Sequence, residues 1–177
     1  MKSRITVSLM LLLAALNAFA SDPSLGPVIE AYGPTYPIDD RDVSLPEDFT
    51  YKAVFDAAVN HDEKELNTGL VSVARYLNMH ARNKVPVENM KIAVVAHGPA
   101  LKTLLTDAAY ETRYGIANPN TELVGKLKAA GVRFYVCGQS MAFGGVRKDE
   151  LADSAQVALS AMTMLTILQS EGFALLR

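Results

Sequence analysis

The pattern of apolar and polar residues predicts strands and helices that alternate along the chain. The short apolar segment 52–57 has the character of a strand, and the helix that follows it is the clearest in the sequence. Its apolar residues recur at helical spacing on one face: Leu66, Leu70, Val73, Ala74 and Leu77. Asp62 is the expected N-cap of this helix, and Pro86 stops further winding.

The alternation continues through the middle of the chain. Residues 90–96 form a continuous apolar run, which is typical of a strand covered on both faces, and the run ends at His97-Gly98-Pro99. Pro99 is expected in the first turn of a helix that carries apolar residues as far as Ala108. A polar connection over residues 110–119 then leads to a helix that Asn120 or Thr121 caps and that Gly131 ends.

Three more strands are predicted over residues 132–137, 156–159 and 173–176. Residues 138–145 are expected to form a loop or a short helical turn, and Ser160 is expected to cap a helix that ends at Gly172. Because strands alternate with helices, the sequence predicts an α/β fold. We expect a three-layer α/β/α sandwich around a mostly parallel sheet of about five strands.

The first fifty residues differ from the rest of the chain. Residues 1–20 have a basic start, an apolar run of about a dozen residues and the small-residue pattern Ala18-Phe19-Ala20, which together predict a signal peptide cleaved after Ala20. An uncleaved anchor is the alternative. Residues 21–50 hold five of the eight prolines and are expected to form an extended arm on the domain or on a neighbouring subunit. Residues 51–177 form the predicted α/β domain.

Composition and motifs exclude several functional classes. The formal net charge of −2 gives no basic footprint for nucleic acid, and we expect no membrane association once the signal peptide is removed. No Gly-rich nucleotide-binding motif, no Cys-x-x-Cys pair and no recognisable metal-ligand spacing occurs. We therefore expect neither a cofactor nor a metal. The predicted location is the periplasm, an oxidising compartment, although the chain has a single cysteine.

That cysteine, Cys137, ends a predicted strand and is followed by Gly138, Gln139 and Ser140. In an open parallel sheet, ligands bind beyond the carboxyl ends of the strands, where His97 and Gly98 follow another strand. Backbone N–H groups of residues 138–140 directed at the sulfur would lower the thiol pKa and make Cys137 a nucleophile. Cys137 as a buried packing residue, and His97 as a loop-stabilising residue, are the alternatives.

Four segments of the sequence resemble the DsrE/DsrF-like sulfur-relay family, and in particular its exported members. They are Lys-Ile-Ala-Val-Val-Ala-His-Gly-Pro-Ala at 91–100, Leu-Lys-Ala-Ala-Gly-Val at 127–132, Phe-Tyr-Val-Cys-Gly-Gln-Ser at 134–140 and Gln-Ser-Glu-Gly-Phe at 169–173. The resemblance implies a compact α/β sandwich that forms homo-oligomers. It also implies that the cysteine at the position of Cys137 carries sulfane sulfur as a persulfide.

Three functions follow as hypotheses, of which the third is a structural or assembly role in which the proline-rich arm of residues 21–50 crosses to a neighbouring subunit. The first is a periplasmic sulfur carrier or sulfurtransferase-like protein, with Cys137 as the persulfide-bearing nucleophile and His97, Gly98, Gly138, Gln139 and Ser140 around it. Its partners would be a sulfane-sulfur donor and an acceptor, either a protein or a small thiol. The alternative is a non-catalytic module of the same fold that binds a small ligand or a protein, with Cys137 merely lining the site.

Overall fold

A computed structural model describes residues 22–59 and 62–177 of the chain. Five strands form one sheet: β1 (Tyr51–Ala57), β2 (Met90–Ala96), β3 (Arg133–Cys137), β4 (Ala155–Ala158) and β5 (Ala174–Leu176). Their order across the sheet is β4-β3-β2-β1-β5, and every neighbouring pair is parallel. The predicted signal peptide over residues 1–20 lies outside the described residues.

The helices lie on both faces of this sheet. They are α1 (Thr68–Arg82), α2 (Asp107–Tyr114), α3 (Thr121–Ala129), α4 (Gly138–Gly144) and α5 (Ala161–Ser170), with three short 3-10 helices at Val87–Asn89, Gly98–Leu104 and Lys148–Glu150. The predicted three-layer α/β/α sandwich with a parallel sheet of five strands is therefore confirmed. Within the described residues, no helix combines the length and the apolar character needed to cross a membrane.

Alternate residues of each strand point to opposite faces and contribute to two separate hydrophobic clusters. In β2, Ile92 and Val94 pack on the side of α1 and α3, whereas Ala93 and Val95 pack on the side of α5. The first cluster is much the larger and includes residues of α1, α3 and the 3-10 helix Gly98–Leu104. The second cluster, under α5, includes Cys137.

The predicted N-cap of α1 is wrong. The helix begins at Thr68, and the Asn67 side chain accepts hydrogen bonds from the N–H groups of Gly69 and Leu70. The Asn67 backbone is in turn held by the buried Asn120, whose Oδ1 accepts its N–H at 2.8 Å. Asp62 instead accepts the N–H of Lys64 in the preceding turn. A tertiary contact thus places the start of the helix later than the local pattern suggests.

The helix predicted from Pro99 to Ala108 is also wrong, because two separate elements occupy that region. The 3-10 helix ends at Leu104, and Leu105 is extended and forms an antiparallel bridge with Leu151. Thr106 then caps α2, which fills much of the predicted polar connection. The bridge holds Leu105 in an extended conformation that a continuous helix cannot accommodate.

The first part of the proline-rich segment lies along α1 of the same chain. Asn78 is fully buried, and its Oδ1 accepts the N–H groups of Val28 and Ile29. Its Nδ2 donates to the carbonyl groups of Ile29, Tyr32 and Gly33. Ile29 joins the larger hydrophobic cluster. One polar side chain of α1 therefore satisfies the backbone of a segment that has no regular ladder of its own.

Candidate functional site

The carboxyl ends of β1, β2 and β3 bring together one polar side chain each. Cys137 is the last residue of β3, and Ala96 of β2 pairs with Val136, so His97 lies beside Cys137 in register. On the other side of β2, Ala96 pairs with Ala57, which places Asp56 near His97. By strand alternation, all three residues lie on the α5 side of the sheet.

Cys137 is buried, with 5% of its surface exposed, and hydrogen-bond donors surround its sulfur. The N–H of Ser140 lies 3.4 Å from Sγ. Burial alone raises the pKa of the thiol, but hydrogen bonds from the Ser140 hydroxyl and from the N–H groups of Ser140, Ala161 and Gln139 lower it, and the net pKa is below the ordinary value. The environment therefore favours the thiolate, the nucleophilic form of cysteine.

The Ser140 hydroxyl connects the thiol to the turn after β2. Its oxygen accepts the N–H of Gly98 at 2.9 Å while the hydroxyl donates to Cys137. Gly98 has a φ of 53°, in the left-handed region that favours glycine. Sequence reasoning assigned Ser140 only a backbone N–H, so the role of its side chain was missed.

Only two of the three residues predicted to donate an N–H group to the Cys137 sulfur do so. Gln139 and Ser140 direct N–H groups at the sulfur, and Ala161 at the start of α5 is a donor that the sequence did not suggest. Gly138 is not among these donors. It permits close packing against β4, because a Cβ there would lie 2.8 Å from the carbonyl oxygen of Ala158.

His97 forms its close contact with Asp56 and not with the thiol. Its Nε2 lies 2.7 Å from the Asp56 Oδ1. Asp56 is a site residue that sequence reasoning missed, because it was counted as part of an apolar strand. The signal was a carboxylate one residue before the carboxyl end of that strand.

A groove of about 800 Å³ opens beside the thiol, between α4 and the 3-10 helix that follows His97. It is lined by Gly98, Pro99, Gln139, Ser140, Ala142, Phe143 and Gly144. The Phe143 side chain is almost completely exposed, at 97%. Cys137 itself does not line the groove, but Ser140, which bonds to its sulfur, does. The groove can therefore receive a molecule next to the thiol without any charged contact.

Among residues 22–59 and 62–177, no group of three or more His, Cys, Asp or Glu side chains is arranged to hold a metal ion.

Comparisons with known proteins agree with this architecture. The sequence profile of the DsrE/DsrF-like family matches residues 52–177, which is most of the chain. The chain belongs to the DsrE/DsrF-like family. The segment matched by the family profile contains the whole sheet except Tyr51, the first residue of β1, and all the site residues described above. A search of curated proteins finds no match.

Two solved structures share the fold of this DsrE/DsrF-like chain. A protein of unknown function, MTH1491 from Methanobacterium thermoautotrophicum, is 24% identical, with a TM-score of 0.55 over 72% of this chain and 98% of that chain. The ychN protein from E. coli is 13% identical, with a TM-score of 0.52 over 71% of this chain and 96% of that chain. At these identities the likeness concerns the fold alone.

Proposed function

We propose that this protein is a sulfur carrier that holds sulfane sulfur as a persulfide on Cys137. The observation that carries the proposal is the Ser140 N–H at 3.4 Å from the sulfur of the sole thiol of the chain, at the carboxyl edge of the sheet, together with the lowered pKa of that thiol. Membership of a family generally related to sulfur relay supports it. A thiolate is the form that attacks sulfane sulfur, and this environment favours it.

Loading and release each need only one cysteine. The Cys137 thiolate attacks the outer sulfur of a donor persulfide or of thiosulfate, and the donor's S–S bond breaks. The electron pair leaves with the donor as a thiolate or as sulfite, and the sulfur remains bonded to Sγ. An acceptor thiolate then attacks this outer sulfur and releases Cys137 as the thiolate.

The location and the partners belong to the same proposal. The sequence pattern of residues 1–20 supports export to the periplasm after cleavage following Ala20. The donor is a sulfane-sulfur compound, and the acceptor is a protein cysteine or a small thiol. A homo-oligomer is also proposed, because α5 carries no charged residue and exposes large apolar side chains such as Met162.

Intact mass spectrometry after incubation with polysulfide or thiosulfate tests persulfide formation. We expect one added sulfur, about 32 Da, on the wild-type protein and none on Cys137→Ser. An adduct that persists in Cys137→Ser would place the sulfur elsewhere and refute the assignment.

A specific observation favours a second candidate, a non-catalytic binding module. Cys137 is buried, and the neighbouring groove is lined without it. Alkylation of the native protein separates the two candidates. The binding module is supported if Cys137 has an ordinary pKa and reacts with iodoacetamide only after the protein unfolds. The carrier is supported if the thiol of the native protein reacts rapidly at neutral pH.

A further inference from the structure

Asp56 fixes which nitrogen of His97 carries the proton. The Nε2 of His97 lies 2.7 Å from the Asp56 carboxylate, which can only accept a hydrogen bond. In the neutral imidazole, Nε2 therefore bears the hydrogen and Nδ1 keeps its lone pair. Among the described residues, no hydrogen-bond partner of Nδ1 is found. The pair thus presents a proton-accepting nitrogen that none of the described residues uses.

The pair lies where an approaching molecule can reach it. The His97 side chain is 29% exposed, against 18% for Asp56, so the carboxylate is the more buried partner and the imidazole the more accessible one. His97 follows β2 immediately before Gly98, which lines the groove and donates to the Ser140 hydroxyl. In register it is the neighbour of Cys137, and adjacent strands lie about 4.8 Å apart.

We propose that His97 is the general base that deprotonates the acceptor thiol during sulfur release from Cys137, and that Asp56 is the positioning residue that holds its tautomer. This inference rests on the proposed sulfur-carrier function. It assigns Asp56 a role that follows only from its contact with His97. The protein's single cysteine cannot provide the second thiol, so the acceptor arrives protonated from outside and needs a base.

The step balances without an oxidant or a reductant. The acceptor R–SH gives its proton to Nδ1 of His97, and the resulting R–S⁻ attacks the outer sulfur of the Cys137 persulfide. A new S–S bond forms to the acceptor, and the bond between the outer sulfur and Sγ breaks. The electron pair stays on Sγ as a thiolate, which the donors around Cys137 stabilise. The imidazolium, paired with Asp56, returns its proton to water.

Among residues 22–59 and 62–177, few other ionisable groups surround the pair. Asp56 faces His97 from β1, and Cys137 lies beside it on β3. The helices α4 and α5 contain no charged residue. On the far side of Asp56, Arg177 lines a small cavity of about 70 Å³ that Asp56 also lines. The described helices beside the pair therefore add no charge to its surroundings.

The test uses persulfide-loaded protein and an uncharged acceptor, N-acetylcysteinamide, with a thiol pKa of about 8.5. Intact mass follows the loss of the added sulfur with time. At neutral pH we expect His97→Gln to transfer about 100-fold more slowly than the wild type, which is at the low end of general-base contributions. The deficit should shrink as the pH passes the acceptor's pKa, because the thiolate then forms without a base.

Asp56 variants test the positioning role. We expect Asp56→Asn to be about tenfold slower at neutral pH and Asp56→Glu to restore most of the rate, with the exposed Asp153→Asn unchanged as the matched control. Nitrogen-15 NMR of the His97 ring provides a readout independent of sulfur. The wild type should show the tautomer protonated on Nε2, and Asp56→Asn should show a mixture of both tautomers.

Two kinds of failure are distinguishable. A wild-type protein that never loads sulfur refutes the proposed function. If the wild type loads sulfur and both variants transfer it as fast as the wild type, only the role of the pair is refuted. The same holds if the variants transfer more slowly by a factor that does not change with pH. A His97 ring protonated on Nδ1 in the wild type also overturns it, whatever the rates.

Discussion

A single hydroxyl determines much of the thiol's environment. Ser140 accepts a hydrogen bond from the turn after β2 and donates one to Cys137, while its own N–H also approaches the sulfur. Burial would by itself keep the thiol protonated. The hydrogen bonds outweigh that effect, so the reactivity of Cys137 depends on this contact as well as on its position at a strand end.

We predict that Ser140→Ala raises the pKa of Cys137 relative to the wild type. The variant removes the side-chain donor and keeps the backbone N–H, so burial, which raises the pKa, is opposed less strongly. The pH dependence of iodoacetamide alkylation measures the shift. Ser170→Ala, which removes an exposed hydroxyl bonded within α5, is the control. An alkylation profile of Ser140→Ala that overlays the wild type would contradict the assignment.

His80 gives a prediction about stability and pH. It is buried against the rings of Tyr76 and Tyr51, and its Nδ1 bonds to the carbonyl oxygen of Tyr76. Burial lowers its pKa below the ordinary 6.5, although the bond to Tyr76 acts in the opposite direction. The unfolded chain therefore binds the proton at a higher pH than the folded protein does.

Stability linked to His80 is thus fully present above pH 6.5 and is lost as the pH falls through the lower folded pKa. Urea denaturation at a series of pH values measures the loss. We expect His80→Phe, which keeps an aromatic ring but does not titrate, to reduce the slope in this range. A slope as steep in the variant as in the wild type would assign the dependence to other groups.

Among the elements, the proline-rich segment lies so close to α1 that residue 33 has to be glycine. Gly33 has a φ of 67°, and a Cβ there would lie 2.3 Å from the backbone nitrogen of Arg75. The segment can therefore approach the helix this closely only with glycine at this position. Asn78, one turn further along α1, holds the same part of the segment through its side chain.

We predict that Gly33→Ala destabilises the protein by about 3 kcal/mol or more, since it adds a backbone clash to the cost of about 1–2 kcal/mol for a left-handed alanine. Gly115→Ala is the matched control, because Gly115 has a φ of 75° with open space around it. Its cost should be the conformational part alone. Chemical denaturation of both variants checks this, and equal losses would show that the close contact contributes nothing.

The order of most elements was predictable from the sequence, because each strand is marked by a short apolar segment and most helices by an apolar stripe. The details that failed depend on distant residues. Asn120 fixes the residue that caps α1, and the bridge to Leu151 ends the helix predicted to reach Ala108. The candidate site was predictable only in part, because some of its contacts also depend on residues that are distant in the sequence. A cysteine followed by glycine marks a strand end, but the contact between Asp56 and His97 depends on the register of β1 against β2.

In the whole molecule, the two chain segments that carry the thiol and α5 are unusual in having no charged side chain. Residues 134–146 and 154–170 contain no Lys, Arg, Asp or Glu, although a fifth of the chain is charged. The sheet face under α5 has a much smaller hydrophobic cluster than the opposite face. Met162 and Ile167 of α5 are exposed. Two copies of such an uncharged face can meet without bringing like charges together.

We predict that the protein associates with a second copy through α5. Light scattering should give a mass above that of the monomer, and Ile167→Glu should shift it toward the monomer by placing a charge in an apolar interface. Val43→Glu, the same change at an exposed position of the proline-rich segment, is the control and should leave the mass unchanged. A monomeric wild type, or an Ile167→Glu variant with an unchanged mass, would contradict this prediction.

A cycle of intact-mass measurements tests whether Cys137 accepts and releases one sulfane sulfur. After treatment with one equivalent of a persulfide donor, the wild type should gain about 32 Da per chain and return to its original mass when an acceptor thiol is added, whereas Cys137→Ser should not change. A wild-type mass that does not increase, or an increase that the acceptor cannot reverse, would refute the carrier role of Cys137.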